Sequence, residues 1–209
     1  MTRPDDTLHR RLRAATAPAH EGLEHALDWQ ARVATRAGYR GLLVRFYGFH
    51  AAYEPAIAAA LADDAFLAPR LRLDALAADL RHLGLPEDSL AALPRPDPVF
   101  LAGPAAAMGA LYVLEGSTLG GQVIGRHIAA QHGITGDGLA YYRAHGPRTG
   151  AMWAAFRARL DASSDEPAGE EAVTESAIAT FEAMRAWLCE ADAGEPRPAP
   201  GDLAILSSR

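Results

Sequence analysis

Apolar residues recur at spacings of three and four along most of this chain, with no sustained alternation of β-branched and polar residues, so the pattern predicts an all-α protein. Leu8, Leu12, Ala15 and Ala19 mark one face of a first helix that Thr7 can cap and that runs to about Leu27. Pro18 is expected to kink or divide it. A second helix is expected over Ala37 to Leu61 and a third over Arg70 to Leu83, stopping at Gly84. Leu85-Pro86-Glu87 opens a short segment, and Pro94-Arg95-Pro96-Asp97-Pro98 reads as a loop. The longest periodic stretch predicts a helix over Val99 to Gln131, with a turn at Gly133 to Gly138. Two last helices, Pro147 to Ala162 and Glu170 to Glu190, flank a polar loop from Ser163 to Gly169. Residues 7–190 are therefore expected to form one helical domain, and residues 191–209, rich in Pro and Gly from Ala193, a mobile tail.

The long helix carries glycines where a helix should have none. Gly116, Gly120 and Gly121 lie in the middle of Met108 to Ile124. Each costs roughly 1 kcal/mol against alanine in a helix interior, in a chain that uses alanine at most indifferent positions. Close packing of a neighbouring helix, or a helix end at Gly120-Gly121, would also account for them. The flanks argue against an end, since Leu111, Tyr112 and Leu114 upstream and Val123, Ile124 and Ile128 downstream keep one apolar rhythm. One helix, kinked at its glycines and laid against a flat or bulky ligand, is the simplest reading. The glycines do not follow the Gly-x-Gly-x-x-Gly order and no strand precedes them, so a dinucleotide loop is a poor alternative.

Composition narrows the field. With 209 residues, 49% of them hydrophobic, the chain can bury one sizeable core. The net charge of −6 speaks against nucleic acid or an anionic membrane as the main partner. A single cysteine, Cys189, rules out an internal disulfide and a thiolate-rich metal site and fits a reducing compartment. The N-terminus lacks a signal-peptide core, and no uncharged run reaches the ~18 residues a membrane span needs. A soluble, cytoplasmic protein with no membrane insertion is expected. All basic residues are arginine, none lysine, which reflects composition rather than chemistry.

A ligand beneath a glycine-bearing helix needs a second wall. Most of the eight histidines fall near expected helix ends, turns or charged faces, where a solvated imidazole is ordinary. His20 is surrounded by Ala and Gly, which leaves a shallow surface for a planar group, and Glu24 lies one helical turn on. A metal-ligating histidine usually has its other ring nitrogen held by a carboxylate, carbonyl or water. A His with a carboxylate one turn away on a solvated helix face is the ordinary alternative.

Leu12-Arg-Ala-Ala-Thr-Ala-Pro-Ala-His20 and Leu114-Glu-Gly-Ser-Thr-Leu-Gly-Gly-Gln122 resemble the proximal and distal helix motifs of heme oxygenases. The resemblance covers about residues 7–190 and is strongest to the bacterial branch associated with bacteriophytochromes. It implies a single-domain helical bundle with heme between the N-terminal helix and the glycine-containing helix. His20 would be the iron ligand, and Gly116, Ser117, Gly120 and Gly121 would form the floor on which oxygen is activated. Arg13, seven residues before His20, and Arg157 would meet the propionates. Tyr112 would stand near the same edge, Gln122 or Ser117 would order water, and Phe181 would pack on the macrocycle, with Met184 and Leu188 extending that wall.

The implied reaction opens heme, both substrate and cofactor, to biliverdin with release of iron and carbon monoxide. It consumes O2 and electrons from outside, so a ferredoxin or a flavoprotein reductase is an implied partner and a bacteriophytochrome an implied acceptor of the bilin. Three positions depart from the vertebrate-type pattern: Ser117 replaces an aspartate, His50 a distal tyrosine, and Trp153 a propionate-binding lysine. Two rivals follow: a noncatalytic heme-binding or heme-transfer protein on the same scaffold, or a helical bundle using a nonheme metal or an organic ligand. Paired Glu-x-x-His motifs, the mark of a dimetal bundle, are not found.

Overall fold

A computed structural model describes residues 7–134, 136–162 and 167–190. Helix starts follow local capping chemistry. The Thr7 hydroxyl accepts the Arg10 N–H and opens α1 (Leu8–Leu27), and the Thr35 hydroxyl accepts the Gly38 N–H and opens α3 (Arg36–Leu61). Between them Asp28, in the left-handed region at φ 37°, caps the short α2 (Trp29–Arg32). Next come α4 (Asp64–Leu67), α5 (Leu73–His82) and α6 (Glu87–Leu90). The long α7 (Pro104–His132), the single-turn α8 (Ala140–Arg143), α9 (Thr149–Ala162) and α10 (Pro167–Arg185) complete the order, and Ala186–Glu190 forms a wider π turn. Among the described residues there is no strand.

Several expected boundaries shift for identifiable reasons. Pro18 neither breaks nor divides α1: it is exposed, and burial of Leu12, Thr16 and Leu23 on either side outweighs one lost backbone hydrogen bond. The long helix begins at Pro104 rather than Val99, because Gly103 at φ 89° turns the chain and Pro104 is suited to a first helical position. Its glycines do not interrupt it, and the helix runs unbroken to His132. The third helix is shorter than expected, since a tight turn over Ala68–Arg70 precedes it. A similar turn over Gly146–Arg148 delays α9 to Thr149, and α10 starts at Pro167 rather than Glu170. Of the expected loop, residues 163–166 lie outside the described residues, as does the expected tail over 191–209.

Helix α10 braces both α7 and α1, while α3 packs on α7 and α5. Leu12, Leu43, Ile57, Met108 and Phe156 are fully buried between these layers, and Phe49 stacks on Tyr53 at 4.1 Å between ring centres. The α7–α10 contact depends on Gly109, where an added Cβ would collide with the Val173 carbonyl. Gly109→Ala is therefore expected to cost about 1–3 kcal/mol through overpacking, read as a lower midpoint in urea with an unchanged slope.

The short α8 is held by charge rather than by length. Asp79, fully buried on the apolar face of α5, accepts the backbone N–H groups of Ala140 (2.7 Å) and Tyr141 (2.8 Å). Arg72, also buried, donates to the carbonyls of Ala140 (2.9 Å) and Tyr141 (3.1 Å). This pair fixes the direction in which Tyr141 and Tyr142 point. Burial pushes the Asp79 carboxyl up and the Arg72 guanidinium down, and the Asp79 backbone partners and the acidic groups around Arg72 oppose those shifts. Asp79→Ala leaves Arg72 under-compensated in the interior and is expected to cost about 3–5 kcal/mol, measured by denaturant unfolding.

Candidate functional site

Both α1 and α7 lean on α9 and α10, and neither packs extensively on the other. The gap between them is a cavity of about 750 Å³, which reaches into the protein beside Phe46, Tyr141 and Tyr142. That volume falls within the usual range for a site holding one bulky small molecule.

The α1 wall is built by one helical face. His9, Arg13, Thr16 and His20 all line the cavity, at a register that repeats roughly every turn. The His20 side chain is half exposed, and its ring meets the Phe181 ring edge-on at 5.5 Å between centres. Its Nε2 lies 3.7 Å from Glu24 Oε1, beyond a direct hydrogen bond. Glu24 therefore stands where one small movement, or one water, would let it orient the imidazole. Phe181 and Met184 of α10, with Leu188 of the π turn that follows it, form the apolar floor between the two helices.

The α7 wall distinguishes two kinds of glycine. An added Cβ at Gly120 would meet nothing within 4 Å, and at Gly116 only the far edge of Trp153 at 3.8 Å. At Gly121 it would rest against Tyr142 at 3.5 Å, and at Gly125 it would press on Tyr142 Cβ at 3.0 Å. Gly125, like Gly109, is thus explained by helix packing. Gly116 and Gly120 have no such explanation within the protein, and what they leave bare is helix backbone facing the cavity. Ser117 lines the same wall and donates its hydroxyl to the Leu114 carbonyl at 2.7 Å. Leu119 and Val123, which are 45% and 56% exposed, extend an apolar lip around it.

Arg13 supplies a cation at the cavity, and Tyr112 stands beside it. Burial pushes the Tyr112 phenol up, opposed by the neighbouring Thr16 hydroxyl and by the Arg13 charge. Tyr112 packs beside Trp153, whose ring also meets His9 edge-on at 5.5 Å. The His9 imidazole is held down first by burial and then by the charge of Arg157, with Arg13 adding to it.

Two expected site residues stand outside the lining. Gln122 turns away and donates to the Gly146 carbonyl (3.3 Å) and to the Thr149 hydroxyl (3.2 Å), tying α7 to the start of α9. Arg157 is exposed on α9 and acts at the cavity through its field on His9. The sequence reading missed His9, Tyr141 and Tyr142. Stepping back from His20 by helical turns would have reached His9, whereas nothing local marks the tyrosines.

The fold and this cavity define an all-α bundle with one large cavity between a histidine-bearing helix and a glycine-bearing helix. The heme oxygenase family model matches residues 6–190. A protein named heme oxygenase from Xanthomonas campestris pv. campestris (strain 8004) is 37% identical over 129 residues, 62% of this chain and 72% of that one. The fold is similar to that of heme oxygenase from Leptospira interrogans, with a TM-score of 0.74 at 17% identity, covering 88% of this chain and all of the other. The heme oxygenase from Neisseria meningitidis, solved with NO and CO bound, gives a TM-score of 0.69 at 25% identity, covering 93% and 98%. The chain belongs to the heme oxygenase family. It is a heme-degrading oxidoreductase, and heme is its substrate.

Proposed function

We propose that heme enters the cavity between α1 and α7 with its iron on His20 and is opened there to biliverdin, iron and carbon monoxide, within a catalytic domain spanning residues 7–190. The observation that carries this assignment is the bare backbone at Gly116 and Gly120, which no protein neighbour explains, in the same cavity as a half-exposed histidine. The residues present fit the group. The lining is largely aliphatic and aromatic, Arg13 offers a guanidinium to a carboxylate, and His20 offers one imidazole. Among the described residues no three His, Cys, Asp or Glu side chains gather as a metal site.

Bound heme supplies the iron at which O2 is reduced and is itself the ring that is oxidised. Within that frame His20 holds the iron and Glu24 orients its imidazole. Arg13 pairs with a propionate at the mouth, and the long-range charge of Arg157 reinforces it. Tyr112, Trp153 and Phe181 fix the plane of the ring. The backbone at Gly116, Gly120 and Gly121 brings the α7 wall close enough to confine the oxygen-bearing side and exclude bulk water, with Ser117 presenting a hydroxyl to it. Gln122 supports this wall by anchoring α7 to α9.

The electrons come from a ferredoxin or a flavoprotein reductase, O2 is the oxidant, and a bacteriophytochrome is the proposed acceptor of the bilin. The cytoplasm is the proposed location. Among the described residues no helix is long and apolar enough to cross a membrane. The test is a hemin titration by absorption, followed by a reductant under air with catalase present. A one-to-one Soret band that decays to a bilin spectrum is the expected result. A saturated band that persists under an active reductase would make the protein a heme carrier, the reading favoured by a hydroxyl, rather than a carboxylate, at Ser117.

A further inference from the structure

The two helical walls of the cavity touch through aromatic rings at either end of it. At one end His9 of α1 meets Tyr112 of α7 at 6.3 Å between ring centres and Trp153 of α9 at 5.5 Å, and Arg13 follows one turn along α1. At the other end the chain has passed from α1 into α2, and Trp29 meets His127 of α7 edge-on at 5.2 Å. His20 stands between the two contacts, eleven residues after His9 and nine before Trp29. The ends differ in chemistry. The first gathers the Arg13 guanidinium, an imidazole and a phenol, under the charge of Arg157. At the second, Leu23 and Leu27 of α1 and Ile124 of α7 line the cavity beside the Trp29 indole.

Trp29 is fixed from both directions along the chain. Before it, Asp28 turns the backbone through the left-handed region at φ 37° and accepts the Ala31 N–H, which sets where α2 starts. After it, the end of α7 grips the connection from α2 to α3. The His132 ring bonds the Val33 carbonyl at 2.7 Å, Gln131 donates to the Ala34 carbonyl at 2.9 Å, and Arg36 donates to the His132 carbonyl at 2.8 Å. Val33 itself is fully buried. The indole is therefore tied to α7, the helix that carries the glycine wall, and it cannot swing away from an oversized ligand as a free surface side chain would.

Resting on the reading that heme lies in this cavity, we propose that Trp29 is a specificity-determining residue, the end stop for the porphyrin edge opposite the carboxylates. It restricts the substrate to iron porphyrins whose substituents on that edge are no larger than vinyl groups. Charge and apolar surface orient the ligand together. A carboxylate placed against leucine and indole would lose its hydration without gaining a partner, whereas at Arg13 it gains a bidentate one. The carboxylate edge thus goes to Arg13, and the opposite edge comes to rest on Trp29. His20 and the bare backbone of Gly116 and Gly120 then face the middle of the ring. His127 does not line the cavity and is a positioning residue that acts through Trp29.

Three ferric porphyrins that share both propionates and differ at the opposite edge measure the stop: deuterohemin with hydrogen there, hemin with vinyl and diacetyldeuterohemin with acetyl groups. In absorption titrations the wild type is expected to bind the first two within about 3-fold of each other and the third about 10–100-fold more weakly, the discrimination a fixed apolar pocket achieves against a slightly larger group. Trp29→Ala should bring the third to within about 3-fold of hemin, and Trp29→Leu, shorter but still apolar, should fall between. Comparing each ligand across the proteins cancels the electronic difference between vinyl and acetyl. His127→Ala, at an exposed position, should loosen the discrimination while leaving the hemin-free melting temperature at the wild-type value. Gly120→Leu narrows the middle of the cavity and should weaken all three ligands alike, so the ratio between them reports on the edge alone. The wild-type ratio retained in Trp29→Ala, or in Trp29→Leu should the alanine variant fail to fold, would overturn the proposal, as would a wild type that takes all three ligands equally well. A wild type that binds none of them would overturn the reading of the cavity itself.

Discussion

In His20→Ala the hemin complex is expected to lose imidazole ligation, with a shifted Soret band and a fall in turnover of more than about 100-fold, beyond the loss typical of removing an outer-shell partner. The reasoning starts from the cavity, where two histidines, His9 and His20, are available. His9 sits against Trp153 and near Tyr112, under the field of Arg157 and Arg13, which suits it to the mouth rather than to the iron. His20 is half exposed beside Phe181, with a carboxylate one turn on. Removing its ring leaves a space that free imidazole can enter, so added imidazole should restore the band and part of the rate. An unchanged spectrum in His20→Ala would transfer ligation to His9, and His9→Ala would then show the loss. Glu24→Gln, which weakens only the orientation of the ligand, should reduce turnover by about 10-fold.

Gly120→Leu is expected to divide stability from binding. Nothing in the protein lies within 4 Å of an added Cβ there, and leucine is the better helix former, so the hemin-free protein should be as stable as the wild type or up to about 1 kcal/mol more stable. The same side chain projects into the space assigned to the ligand, and hemin affinity should fall on the order of 100-fold, close to 3 kcal/mol. Gly109→Ala, which collides with the α10 backbone, should do the reverse, weakening the fold while leaving the hemin titration near that of the wild type. Thermal melts of the hemin-free variants and absorption titrations measure the two effects separately. Undiminished hemin binding in Gly120→Leu would remove the glycine wall from the site. The two classes of glycine share one helix, and only the distance from each position to the rest of the protein tells them apart.

The parts of the site that the sequence announced are those whose chemistry is local. The run from Leu114 to Gln122 and the segment ending at His20 each lie on one helix, and both walls could be placed before any tertiary contact was known. Gln122 shows where that stops. Its position in the motif suggested a role beside the ligand, yet its amide is taken by Gly146 and Thr149, which arrive from a later turn of chain. Tyr141 escaped notice for the same reason. Its place in the cavity is set by Asp79 and Arg72, more than sixty residues earlier in the chain.

The sequence by itself determined the helices, because a repeat of 3.6 residues, the Thr7 and Thr35 caps and the stop at Gly84 act within one or two turns. It also determined that one helix would carry bare backbone and another a histidine. Tertiary structure alone decided that α9 and α10 hold these two helices apart, which glycines face the gap, and that Tyr141 lines it. These outcomes depend on burial and hydrogen bonding between groups distant in sequence, and no pattern local to a single helix encodes the distance between two of them.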